Sequence, residues 1–79
     1  MPYPIYRKLI DGRSIYRIGS AERFTEVQFV GTRAIVHHVM ATTYPEMVRM
    51  DDMIRMTGGH YVEAAAAEFS AALAKAEGA

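Results

Sequence analysis

The stretch Ile5-Tyr6-Arg7-Lys8-Leu9-Ile10-Asp11-Gly12-Arg13-Ser14-Ile15-Tyr16-Arg17-Ile18 decides the fold. Two runs rich in isoleucine and tyrosine flank Asp11-Gly12, a dipeptide whose residues tolerate the positive φ angles of a tight reversal. The pattern predicts a β-hairpin of Tyr3 to Ile10 and Ser14 to Ser20. With Ile10 across from Arg13, Leu9 faces Ser14, Arg7 faces Tyr16, Tyr6 faces Arg17 and Ile5 faces Ile18. Side chains alternate along a strand, so Ile5, Leu9, Tyr16 and Ile18 share one face and read as core. Tyr6, Lys8, Ile10, Arg13, Ile15 and Arg17 share the other. A three-residue loop with a glycine bulge is the other reading, and it shifts this pairing by one.

The same arrangement recurs at Arg23 to Val30 and Arg33 to Thr42, around Gly31-Thr32. Glycine at the first turn position suits a type II′ turn. Pairing Val30 with Arg33 sets Gln28 opposite Ile35, Val27 opposite Val36, Glu26 opposite His37 and Thr25 opposite His38. Val27, Phe29, Val36 and Met40 then share a face. The opposite face holds Glu26, Gln28, Arg33 and His37, but also Phe24, Val30, Ile35 and Val39.

Pro45 biases Tyr44 away from the α region and is itself welcome in a first helical turn. Met47, Val48, Met50 and Ile54 fall near helical spacing, so residues 44 to 56 read as a short helix or an irregular segment. Thr57-Gly58-Gly59 ends it, and His60 to Glu63 leads into Ala64-Ala65-Ala66-Ala67 and the alanine-rich C-terminus, the strongest helix former in the chain. Phe69 and Leu73 mark its apolar stripe, with alanines around them. The fold class expected is α+β: a four-stranded antiparallel meander of two β-hairpins, then the short helix or irregular segment, then a C-terminal helix packed on the sheet.

Composition bounds the function. A chain of 79 residues reads as one domain near the size where folding alone is marginal. There is no cysteine, which excludes a disulfide framework and thiolate metal sites. Nine basic side chains balance nine acidic ones, but unevenly: residues 1–33 carry six cations against three anions, and residues 34–79 the reverse. The N-terminus lacks the basic and apolar regions of a signal peptide, and no run of about 18 apolar residues could cross a bilayer. A cytoplasmic location without membrane contact is the expectation.

No catalytic constellation emerges. His37 and His38 are neighbours on a strand and point to opposite faces, so they cannot grip one metal ion together. Ser14, Ser20 and Ser70 have no paired histidine and acid nearby in sequence. Asp51 and Asp52 diverge by about 100° on a helix. Gly58-Gly59 lacks the lysine of a phosphate loop. No catalytic residue, metal ligand set or cofactor is therefore expected.

Two binding surfaces remain. Tyr6, Lys8, Arg13 and Arg17 on one hairpin face combine an aromatic platform with cations, the chemistry of single-stranded nucleic-acid binding. The second is a protein contact. Met40, Met47, Met50, Met53 and Met56 cluster between the last strand and the glycine pair, and methionine suits adaptable contact surfaces. Pooling both hairpins, Tyr6, Ile10, Ile15, Phe24, Val30, Ile35 and Val39 would lie uncovered if both helices sat on one face, more than a soluble monomer leaves bare. Either a helix covers each face or two chains bury that surface together. Met47, Met50, Met53, Ile35 and Val39 are the contact residues expected.

Tyr6-Arg7-Lys8, Tyr16-Arg17-Ile18 with Ser20, Phe24-Thr25-Glu26-Val27-Gln28 with Gly31, His38, Pro45 and Asp52-Met53-Ile54 resemble a small uncharacterised family of bacterial proteins of about this length. The resemblance spans residues 6 to 69. It implies a bacterial, single-domain protein and carries over no activity and no site residue. The function expected from the residues is a non-enzymatic interaction module that binds itself as a homodimer or another protein, with single-stranded nucleic acid as the alternative partner.

Overall fold

The computed structural model describes residues 3–78. Strands β1 (Ile5–Leu9), β2 (Ser14–Ser20), β3 (Arg23–Val30) and β4 (Arg33–Met40) precede helix α1 (Tyr44–Arg55). A 3-10 turn at Thr57–Gly59, strand β5 (Tyr61–Glu63) and helix α2 (Ala66–Glu77) follow. The sheet is antiparallel throughout, in the order β4-β3-β2-β1-β5, with the expected four-stranded meander as its body. The fifth strand is an addition to the sequence reading. Leu9 lies opposite Tyr61, Lys8 opposite Val62 and Arg7 opposite Glu63. Three residues are too few to show an alternating pattern, so the open edge of β1 decides their conformation.

Within each hairpin the pairing follows the sequence expectation, Ile5 with Ile18, Arg7 with Tyr16, Thr25 with His38 and Gln28 with Ile35. Gly31 has φ 61° and Thr32 stays out of the positive region, as a type II′ turn requires. The first reversal is wider than two residues. The Gly12 N–H donates to the Leu9 carbonyl at 2.9 Å and the Arg13 N–H to Asp11 Oδ1 at 2.9 Å, while the Ile10 N–H turns to the His60 carbonyl at 2.9 Å. Ile10 and Arg13 thus lie in the loop and not in the β1–β2 ladder.

The junction between the hairpins settles the architecture. Ser20 pairs with Arg23, but Ile18 pairs with Phe24, so Gly19 is an extra residue bulged out of β2. Every position of β2 before the bulge is displaced by one relative to β3. Tyr16 and Ile18 consequently share a face with Phe24 and Val39, and Ile15 shares the other with Val27 and Val36. This corrects the pooled apolar face. Its seven residues belong to both sides of the sheet, and each side has its own helix.

On one side α1 inserts Met50 and Met53 among Tyr16, Ile18, Phe24 and Ala41. On the other, α2 lays Phe69 and Ala72 on Ile15 and Val27, with Tyr6, Val36 and Leu73 around them. Each of the large side chains removed from water contributes about 1.5–3 kcal/mol. The N-terminus of α1 is closed by Glu46, whose Oε1 accepts from the Thr43 hydroxyl at 2.8 Å and the Thr43 N–H at 3.4 Å. At its other end Arg7 reaches up from β1 and donates to the Met53 and Ile54 carbonyls at 3.0 and 3.2 Å, where terminal carbonyls lack helical partners.

Two outcomes test this account. Gly19 is not in a left-handed conformation, and a Cβ there meets nothing within 4 Å, so Gly19→Ala should change stability by less than about 1 kcal/mol. Deleting Gly19 should abolish cooperative unfolding in a circular-dichroism melt, because closing the bulge exchanges the α1-facing and α2-facing sides of β1 and β2 relative to β3. Met56, which ends α1 at φ 55°, is a left-handed non-glycine residue. Met56→Gly should raise stability by about 1 kcal/mol in urea titration.

Candidate functional site

Edge strand β4 is the most exposed element of the sheet. The Phe29 N–H donates to the Arg13 carbonyl at 2.8 Å, towards β2. Alternation in an antiparallel ladder then points the backbone groups of Glu26, Gln28 and Val30 at β4, where Arg33, Ile35 and His37 receive them. Ala34, Val36, His38 and Met40 turn theirs outward, and among the described residues no strand lies on that side. The one bond formed there by the described residues is the Thr42 N–H to the Met40 carbonyl, at 2.9 Å. Natural edges are shielded by prolines, lysines, bulges or shortness. β4 has eight residues, an unbroken register, and one charged residue, Arg33, at its start.

Beside this edge the α1 face of the sheet is incompletely covered. Ile35 is 41% exposed and Val30 49%, while Val39 is half-buried against the core beneath α1. Met47 is 57% exposed on the outer side of α1. Met50 and Met53, expected as contact residues, are core instead at 4% and 0% exposure. They fall on the sheet-facing stripe of α1, three apart, and Met47 lies on its rim.

Beneath the uncovered patch sits a polar network. Glu26 Oε2 accepts from the Ser14 hydroxyl at 2.8 Å and the Tyr16 hydroxyl at 3.2 Å. Arg49, from α1, donates to Tyr16 Oη at 3.1 Å and to Glu26 Oε1 at 3.4 Å. Its guanidinium also stands 5.5 Å from the Tyr16 ring centre and 5.4 Å from that of Phe24. Burial pushes the Tyr16 phenol above its usual value, and the charge of Glu26 adds to the rise against the pull of Arg49. Burial works against the Arg49 charge too, but bonding to Tyr16 and the field of Glu26 outweigh it and raise its affinity for the proton. Every member has a partner, so the network joins α1 to β2 and β3.

The four cationic and aromatic residues expected to face nucleic acid are not assembled into a platform. Tyr6 tilts against Phe69 of α2 with ring centres 5.9 Å apart. Lys8 donates to Glu68 at 2.7 Å, which holds that carboxyl below its usual value with help from the Ala65 N–H. Arg13 lies near Asp11 in the exposed loop, 3.8 Å away. Arg17 alone opens into a depression, its guanidinium 5.3 Å from the Phe69 ring centre. The reason is the position of α2, which covers the middle of that face.

The histidines are separate. His37 meets Gln28 Oε1 at 3.1 Å, and His38 meets Thr25 Oγ1 at 3.3 Å on the opposite face. Among the described residues no three histidine, aspartate or glutamate side chains converge as a metal would require. No helix there is long and apolar enough to cross a membrane. No family model, curated protein or solved structure matches the chain.

The polar network makes two predictions. Glu26→Gln should destabilise by about 2 kcal/mol in urea, since it leaves the Arg49 charge without its counter-ion. A phenol raised in the folded state contributes stability that is full below the unfolded tyrosine value and lost as pH climbs through the folded one. The midpoint of urea unfolding should therefore fall on the alkaline side of the usual tyrosine value, and Tyr16→Phe should flatten that fall.

Proposed function

We propose that this protein is a small, non-enzymatic, cytoplasmic interaction module that pairs with a second copy of itself through β4. The open eight-residue edge carries the reading, with its outward backbone groups at Ala34, Val36, His38 and Met40 next to exposed Ile35. A twofold axis at His37 makes the edge self-complementary. Ala34 then exchanges hydrogen bonds with Met40 of the second copy and Val36 with His38 of the second copy, so all four outward residues are used. On the α1 face Ile35 meets Val39 of the second copy, burying the exposed apolar side chain against a half-buried one. Arg33 falls outside the paired core, where its charge meets no like charge. The outer positions of α2, Ala67, Ser70, Ala71 and Ala74, are small, which suits the close approach of two helices on a continuous sheet.

Single-stranded nucleic acid has less support as a partner, because Tyr6 is engaged by Phe69 and Lys8 by Glu68. Self-association also accounts for an edge that would otherwise invite indiscriminate strand pairing.

Sedimentation velocity tests the proposal. The wild-type chain should run at dimer mass at high micromolar concentration. Val36→Pro should run as a folded monomer, because the Val36 N–H points outward and its loss leaves the β3–β4 ladder intact. Ile35→Lys should shift the equilibrium the same way by placing a charge at the join. A wild-type monomer at that concentration, or a dimer indifferent to both substitutions, refutes the reading.

A further inference from the structure

The depression into which Arg17 opens carries two arginines that the self-association reading leaves unused. It measures about 770 Å³ and lies at the end of the sheet beside the Gly19 bulge. Arg17, Arg23, His38, Ser20 and Thr25 supply its polar lining, and among the described residues no carboxylate lines it. Among the described residues, the cations Lys8, Arg13, Arg49 and Arg55 each have an acid within 4 Å, whereas Arg17 and Arg23, like Arg7, Arg33 and Lys75, form no such ion pair, and only Arg17 and Arg23 line this depression. Arg17 is held over Phe69, half-buried, so its charge is positioned by an aromatic ring and not neutralised.

The uncharged groups add donors. Ser20 Oγ accepts from the Glu22 N–H at 3.3 Å, which leaves the serine hydrogen free to donate. Thr25 Oγ1 and His38 Nδ1 share one hydrogen bond at 3.3 Å. If the hydroxyl donates, the neutral imidazole carries its hydrogen on Nε2. If Nδ1 donates, the threonine hydrogen is free. Either tautomer leaves the pair with an unused donor. Two guanidinium groups, that of Arg17 held over Phe69, together with the Ser20 hydroxyl and one donor of the Thr25–His38 pair, line one opening and suit an anion with several acceptor oxygens.

We propose that this depression binds a phosphate group, as inorganic phosphate or as a small phosphate monoester. A phosphate carries close to two negative charges near neutral pH and three strong acceptor oxygens, matching two arginines and the hydroxyls where a carboxylate, with one charge and two oxygens, matches half of the set. Arginine forks suit phosphate geometry better than isolated ammonium groups do. The site shares His38, Val39 and Met40 with the β4 edge, but all its residues come from one chain, so it forms in the monomer.

Titration of the 15N-labelled full chain with inorganic phosphate and with ribose 5-phosphate, at constant ionic strength, tests this by NMR. Saturable shifts are expected at the amides of Arg17, Ser20, Arg23 and His38. Tighter binding of ribose 5-phosphate identifies a monoester as the ligand, and equal binding identifies the free anion. Arg23→Gln, at an exposed position that the fold does not need, should weaken binding about tenfold. Arg33→Gln, an exposed arginine outside the depression, should leave it unchanged. The monomeric Val36→Pro variant should keep the site, so failure of the dimer and failure of the phosphate site are read separately. Shifts that rise linearly without saturating, or binding by Arg23→Gln equal to wild type, overturn the proposal.

Discussion

One unpaired residue, Gly19, stands between two ways of building this protein. Without the bulge, the pairing of Ser20 with Arg23 would continue along the ladder, and Tyr16 and Ile18 would share a face with Val27 and Phe29. One side of the sheet would then hold most of the apolar side chains, and Phe24 would lie on the opposite side with Ile15. With the bulge, Phe24 joins Ile18 and Val27 joins Ile15. Apolar surface is divided between two faces, and a helix is needed on each. The three-layer arrangement of α1, sheet and α2 follows from that division, because an uncovered face containing either Tyr16 and Phe24 or Ile15 and Val27 would expose large apolar area to water.

The two helices are attached by different means. α2 is a low-cost cover: its alanines favour helix intrinsically, and Phe69 and Ala72 sit directly on the sheet. α1 has stronger polar ties. Arg7 holds its C-terminal carbonyls, and Arg49 connects it to Tyr16 and Glu26 across two strands. These bonds fix where α1 crosses the sheet, and therefore where its cover stops. Ile35 and Val30 lie beyond that limit, beside the free edge of β4. The uncovered patch is thus a consequence of where a half-buried ion pair places a helix. The bulge shapes the other surface in a similar way, since the depression containing Arg17 and Arg23 opens beside it.

Much of the fold was legible in local chemistry. Asp11-Gly12 and Gly31-Thr32 each mark a reversal flanked by strand-forming residues, and the pairings inside each hairpin follow from the positions of those turns. The alanine run identifies α2. The short strand β5 was not legible, because three residues have no periodicity and their conformation comes from the open edge of β1. The candidate surface was partly legible. Ile35 and Met47 are exposed, but Met50 and Met53 are core, since a methionine run on a helix does not reveal which side meets the sheet. The link between Glu26 and Arg49 spans 23 residues, and β3, which also carries Arg23, Thr25 and Gln28, gives no local sign of it.

The sequence by itself determined the two hairpins, the register within each, the alanine helix and the α+β class. These depend on contacts between residues close in the chain, whose energetics are carried by turn geometry and side-chain alternation. Only the tertiary structure decided which face of one hairpin continues into which face of the other, and so which methionines are buried and which arginines stay unpaired. The physical reason is the period of two along a strand: a single extra residue between Ile18 and Ser20 inverts every inside and outside assignment on one side of it. No local preference of Gly19 announces that inversion, and the packing of a helix against each face selects it.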